Sequence, residues 1–137
     1  MNRSDLIRLT KIRLQEARVL LKAERFEGAY YLCGYAVECA LKACIARQTR
    51  RYDFPDKDTV RDSYTHNLVK LVRLGDLESE LTKRINVDMA FEANWGVVKD
   101  WSEDSRYEHP TESQARDLFR AIANPNHGVL GWIRQYW

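Results

Sequence analysis

The segment FEGAYYLCGYAVECALKACIAR, residues 26–47, contains no proline and reads as one long helix. Phe26, Tyr30, Cys33, Val37, Ala40 and Cys44 recur at alternating steps of four and three, the spacing of a continuous buried seam. Ala29, Ala36 and Ala43, with Leu32 and Leu41 beside them, form a second row whose small side chains let a neighbouring backbone come close. A third row holds Tyr31, Tyr35, Glu38 and Lys42, and Glu38 precedes Lys42 by four residues, the better orientation for a helical ion pair. A helix this apolar round its circumference is either the centre of a bundle or a bundle helix that also carries a subunit contact.

Working outward, the amino-terminal segment is expected to be helical from Ser4 or Asp5, either of which can cap free backbone N–H groups, to about Ala23. Its inner stripe is Leu6, Thr10, Leu14, Ala17 and Leu21. The short link to Phe26 makes it an antiparallel neighbour of the long helix. Arg47, Arg50 and Arg51 crowd the other end of that helix, where cations complement the partial negative charge. Residues 52–64, with Pro55 and several aspartates, read as a loop.

Thr65 is expected to cap a short helix that buries Leu68, Leu71 and Val72 and stops at Gly75. A helix from about Ser79 to Asn94 would turn Leu81, Ile85 and Met89 inward and end at Trp95-Gly96. Residues 97–110 lack helical periodicity and read as a crossing loop or a short extended piece. Thr111 and Gln114 form a capping-box pattern ahead of Ala115, Leu118, Phe119 and Ile122. Asn124-Pro125-Asn126 interrupts that helix, and Val129, Trp132, Ile133 and Tyr136 line the last segment. With no repeat, linker or low-complexity tract, residues 1–137 read as one domain: all-α, an antiparallel up-down bundle of four main helices plus short ones.

At 137 residues the chain is long enough to bury a core without disulfides or metals. Its formal charge of +2 does not by itself announce a nucleic-acid binder. The three cysteines, Cys33, Cys39 and Cys44, match no zinc or CxxC spacing and read as small core residues of a reduced, cytoplasmic protein. No apolar run is long enough to span a membrane. His66, His109 and His127 stand far apart, so no metal site is expected. No glycine-rich phosphate loop occurs either, and no cofactor is expected.

The string GAYYLCGYAVECALKA, the preceding LLKAERF, the Thr65-His66-Asn67-Leu68 helix start, Trp101, the Arg106-Tyr107 pair and the closing GVLGWI together resemble the HEPN family of small helical domains. The resemblance implies the helical bundle and a homodimer. It further implies a nucleotide- or RNA-binding module that works beside a separate minimal nucleotidyltransferase in a two-gene, toxin-antitoxin-like system. In HEPN members that cut RNA, an arginine and a histidine four to six residues apart act without metal: histidine moves a proton while the ribose 2′-OH attacks phosphorus, and arginine steadies the charge. That division of labour suits the two side chains. Arg61 with His66 and Arg120 with His127 satisfy the spacing, but with 15 arginines in the chain spacing alone selects neither. The tyrosine to which a partner enzyme attaches a nucleotide in some members would fall at Leu68 or Val129.

Arg106-Tyr107 matches the arginine-tyrosine pair of the non-catalytic HEPN branch and offers phosphate and stacking contacts side by side. With Arg47, Arg50 and Arg51 it makes a candidate nucleotide or RNA site. The alternatives are a structural arginine that ties its loop to Glu38 or another buried acid, a metal-independent endoribonuclease built on one Arg-His pair, and a dimerisation scaffold without a ligand.

Overall fold

The computed structural model describes residues 1–51 and 56–137, and the side chains of Arg50 and Arg51 fall outside that description. Among the described residues every regular element is helical: α1 (Arg3–Lys22), α2 (Phe26–Arg51), α3 (Lys57–Asp62), α4 (Leu68–Leu74), α5 (Glu78–Val87), α6 (Met89–Val98), a 3-10 turn (Glu103–Tyr107), α7 (Glu112–Ala123) and α8 (Val129–Ile133). The all-α bundle expected from periodicity is the fold observed.

Helix α1 begins one residue earlier than expected. Asn2 is the cap, accepting from the Asp5 N–H at 2.9 Å, and the Asp5 carboxylate accepts from the Asn2 N–H to close a capping box. Between α1 and α2 the chain reverses through Glu24, whose φ of 60° is in the left-handed region. This hairpin lays Thr10, Ala17 and Leu21 of α1 against α2, all of them buried.

Helix α2 is the central member. It packs against α1, α4, α7, α8 and the 3-10 turn, so its apolar breadth is covered within the chain and gives no argument for a subunit contact. Cys33, Ala36, Val37, Ala40, Leu41 and Ala43 are buried along it. The rest of the core comes from Leu68 and Leu71 of α4, Phe91 and Val98 of α6, Leu118 and Ile122 of α7, and Trp132 and Ile133 of α8. Phe91 and Trp132 meet at a ring separation of 5.6 Å, and side chains of this size each contribute about 2 kcal/mol by leaving water.

The second half departs from the sequence expectation at several points. Residues 57–62 of the supposed loop form α3, capped by Asp56, whose carboxylate accepts from the Asp58 N–H; Tyr52, Asp53, Phe54 and Pro55 lie outside the described residues. The α4 cap is Asn67 rather than Thr65, and Thr65 instead accepts the Asn67 N–H. Helix α4 ends at Gly75 as expected, yet the left-handed residue is Asp76, at φ 57°.

The single helix expected over residues 79–94 is two, broken at Asp88. This residue is extended and caps α6 by accepting from the Phe91 N–H at 2.9 Å. The break moves Met89 to the surface, while Trp95 is buried within α6, which runs on through Gly96 to Val98. The Thr111–Gln114 capping box and the interruption at Asn124 are as expected. Gly128 makes the α7–α8 turn possible, because a Cβ there would lie 2.4 Å from the Asn124 carbonyl oxygen.

Candidate functional site

Glu38 lies near the middle of α2, on the row assigned to a surface ion pair. It is 1% exposed. Its Oε1 accepts from Lys42 Nζ at 2.9 Å, the expected pair, and also from His66 Nδ1 at 2.8 Å. The other His66 ring nitrogen, Nε2, stands 3.1 Å from Glu103 Oε2. Each imidazole nitrogen donates only when it carries a proton, so the two bonds together require the doubly protonated ring. His66 thereby ties three elements, α2, the entry to α4 and the 3-10 turn. Glu38 Oε2 is buried and has no partner among the described residues.

The 3-10 turn is seated by a glycine. A Cβ at Gly34 would fall 2.1 Å from the Trp101 ring, so only glycine lets the indole lie flat on α2. Trp101 is buried, and its ring centroid is 6.1 Å from that of Tyr31, which stacks on Tyr35 at 6.1 Å and 7° between planes. The turn that follows carries Glu103 to His66 and leaves Arg106 and Tyr107 on the surface. The Arg106 guanidinium sits 4.9 Å from the Tyr107 ring centre, and Tyr107 is 73% exposed. Tyr107 first, then Tyr31 and Glu103 against the opposing desolvation, raise the Arg106 pKa above its ordinary value.

Arg106 makes no ion pair among the described residues, and the partners of Glu38 are Lys42 and His66. The reading of Arg106 as an anchor to Glu38 is therefore corrected: histidine, not arginine, fastens this turn to the buried acid.

The other candidates are placed as follows. Arg61 is exposed on α3 and paired with Asp58 at 3.2 Å and Asp62 at 3.3 Å, while the nitrogens of His66 face carboxylates. Arg120 is exposed on α7 and paired with Asp117 at 3.4 Å. His127 binds Asp88 at 2.9 Å, and Arg84 binds the same carboxylate at 3.1 Å, so His127 clips the α7–α8 turn to the α5–α6 break. Neither Arg-His pair is held by a direct bond.

Arg47 is exposed near the end of α2. From Tyr31, which neighbours the Arg106 turn, to Arg47 the helix advances about 24 Å. Arg47 and Arg106 are thus separate features rather than one rim, and the side chains of Arg50 and Arg51 are outside the described residues.

Sequence reasoning did not reach Glu38, Glu103, Tyr31, Tyr35 or Trp101 as site residues. The available signal was Glu38 itself, an acid in a helix otherwise apolar on most of its surface, and a helical ion pair explained it too easily. Among the described residues no group of three or more His, Cys, Asp or Glu side chains is arranged to hold a metal ion.

Comparison with known proteins gives one match, the family model for the HEPN domain, over residues 4–124. No curated protein and no solved structure matches the chain significantly. The matched span runs from Ser4 in α1 to the end of α7 and contains Glu38, His66, Glu103 and Arg106, so the chain belongs to the HEPN domain family, whose modules bind nucleotides or RNA or cleave RNA.

Proposed function

We propose that residues 1–137 form a single nucleotide- or RNA-binding HEPN domain, acting as a homodimer beside a separate minimal nucleotidyltransferase in a toxin-antitoxin-like pair. The observation that carries the binding reading is the Arg106–Tyr107 pair. A cation without an ion pair among the described residues and an exposed ring 4.9 Å from it stand beside the Tyr31–Trp101 contact, on a turn fixed by the Glu38–His66–Glu103 chain. Guanidinium grips phosphate and the phenol ring stacks on a base, so one strand can use both. The partner enzyme and the dimer rest on the family resemblance. The buried, free state of Cys33, Cys39 and Cys44 supports a reducing, cytoplasmic setting.

A second reading, a metal-independent endoribonuclease, draws on the buried Glu38 beneath His66, because a carboxylate bound to one imidazole nitrogen fixes ring orientation as in histidine bases. One experiment separates the readings. Purified protein is incubated with a structured RNA in EDTA, alongside Arg106→Ala, His66→Ala and His127→Ala variants. The binding reading expects intact RNA, bound by the wild type and at least about tenfold more weakly by Arg106→Ala, with the melting temperature unchanged because Arg106 is exposed. Cleavage that survives EDTA and disappears in one histidine variant would replace it with the nuclease. Absence of any RNA or nucleotide binding, alone or with a small nucleotidyltransferase, would leave a dimerisation scaffold.

A further inference from the structure

A cleft of about 680 Å³ opens between α1, α2 and α3. Its walls are largely apolar, with Leu6, Leu9, Tyr35, Ile45, Val60 and Tyr64 among them. Two buried polar atoms without partners among the described residues belong to side chains lining it: Glu38 Oε2 and Arg3 Nε. A buried polar group left unpaired costs about 1–3 kcal/mol, and two in one apolar cleft are what a ligand would satisfy.

The chemistry of that ligand follows from the two atoms. Glu38 Oε2 only accepts, so it needs a donor. The charge of Glu38 is already met at Oε1 by Lys42 at 2.9 Å and His66 at 2.8 Å, so a neutral N–H suits it better than a third cation. Arg3 only donates, and its charge bears on Cys44. Cys44 is about 9 Å along α2 from Glu38, so the far end of the ligand is an anion or a strong acceptor at that remove. A flat, apolar middle fits between Tyr35 and the aliphatic wall.

We propose that this cleft is a mononucleotide pocket in which an amino-bearing base gives an N–H to Glu38 Oε2 and the phosphate lies toward Arg3. The inference rests on the nucleotide-binding reading above and extends it to a second, enclosed site that shares Glu38 with the His66 cluster. It also carries a selectivity. Adenine presents an exocyclic amine, whereas the N–H of uracil is flanked by two carbonyl oxygens that would face the carboxylate.

The test is calorimetric titration of the whole protein with AMP, UMP and purine riboside monophosphate, which differs from AMP only in lacking the amine. AMP is expected to bind at least about tenfold more tightly than either of the others, the worth of one well-placed base contact. Ala46→Phe, at the cleft wall, should abolish AMP binding. Should that variant melt early, Leu9→Phe on the α1 side gives the same reading. Equal affinity for AMP and purine riboside monophosphate would overturn the base contact. AMP binding that ignores Ala46→Phe and Leu9→Phe but is lost in Arg106→Ala would overturn the pocket and leave the surface site standing. No AMP binding, with RNA still held through Arg106, would do the same; loss of both would retire the nucleotide reading itself.

Discussion

Two of the three histidines are structural fasteners on carboxylates, and their neighbours set what each one does. His127 is bonded to Asp88, which also takes Arg84 and the Phe91 N–H. These partners, His127 first, hold the Asp88 carboxyl down at about 2 against an ordinary 3.8. A carboxyl lowered by folding stabilises the fold above its unfolded value and loses that contribution as pH falls through the folded one. The clip is therefore intact above 3.8 and is released as pH falls from there toward 2. Melting temperature followed down this range should drop in the wild type and drop less steeply in Asp88→Asn; equal slopes would remove Asp88 from the acid response. His66 differs because its carboxylate partner is buried, and the sequence gives no sign of this. The Arg61–His66 spacing draws attention to the histidine but assigns it the wrong partner. Spacing along the chain records only local neighbours, whereas Glu38 reaches His66 through the packing of α4 on α2.

Among the elements, the 3-10 turn over Glu103–Tyr107 depends most on a single residue elsewhere. Trp101 has room on α2 only because Gly34 lacks a Cβ. Gly34→Ala gains helix propensity but puts a methyl into the indole, so Trp101 must move and take the turn with it. Overpacking of this kind costs about 1–3 kcal/mol, more than the propensity gain of about 1 kcal/mol. The variant should melt lower in a thermal scan and lose RNA affinity, although Gly34 is buried away from any ligand. An unchanged melting temperature would show that the indole does not rest there. Gly34 reads in sequence as an unremarkable small residue of the buried face, and the turn it admits falls within a segment, residues 97–110, whose polar sequence has no periodicity to read. The Asp88 break is equally hidden: Leu81, Ile85 and Met89 keep a helical spacing across it, and only the cap that Asp88 offers to Phe91 divides the run.

For the whole molecule, α2 is enclosed on several sides, and its thiols report on that enclosure. Burial pushes the Cys33 and Cys44 thiols up to about 12 and the Cys39 thiol to about 11, so near neutral pH all three are protonated as well as covered. The thiolate is the reactive form, and reaching it requires opening α2 from its neighbours. Alkylation of the native protein at pH 8 should be slow at all three cysteines and should accelerate together through the denaturant transition. Rapid labelling of one cysteine in buffer would mean that α2 opens locally at that end.

The sequence by itself determined the helical class, the central place of residues 26–47, the α1–α2 hairpin, the capping box at Thr111 and the break at Asn124. Each of these follows from periodicity, capping or proline chemistry, which act between residues close in the chain. Membership of the HEPN family was legible too, through local strings such as GAYYLCGYAVECALKA and Arg106-Tyr107. Tertiary structure alone decided that Glu38 is buried, that His66 stands between it and Glu103, that Trp101 lies on Gly34, and that Arg47 stands apart from Arg106. Those relations join α2 to residues that follow it by 28 positions or more, and at such separations the register between packed surfaces, rather than spacing in the chain, sets which side chains meet.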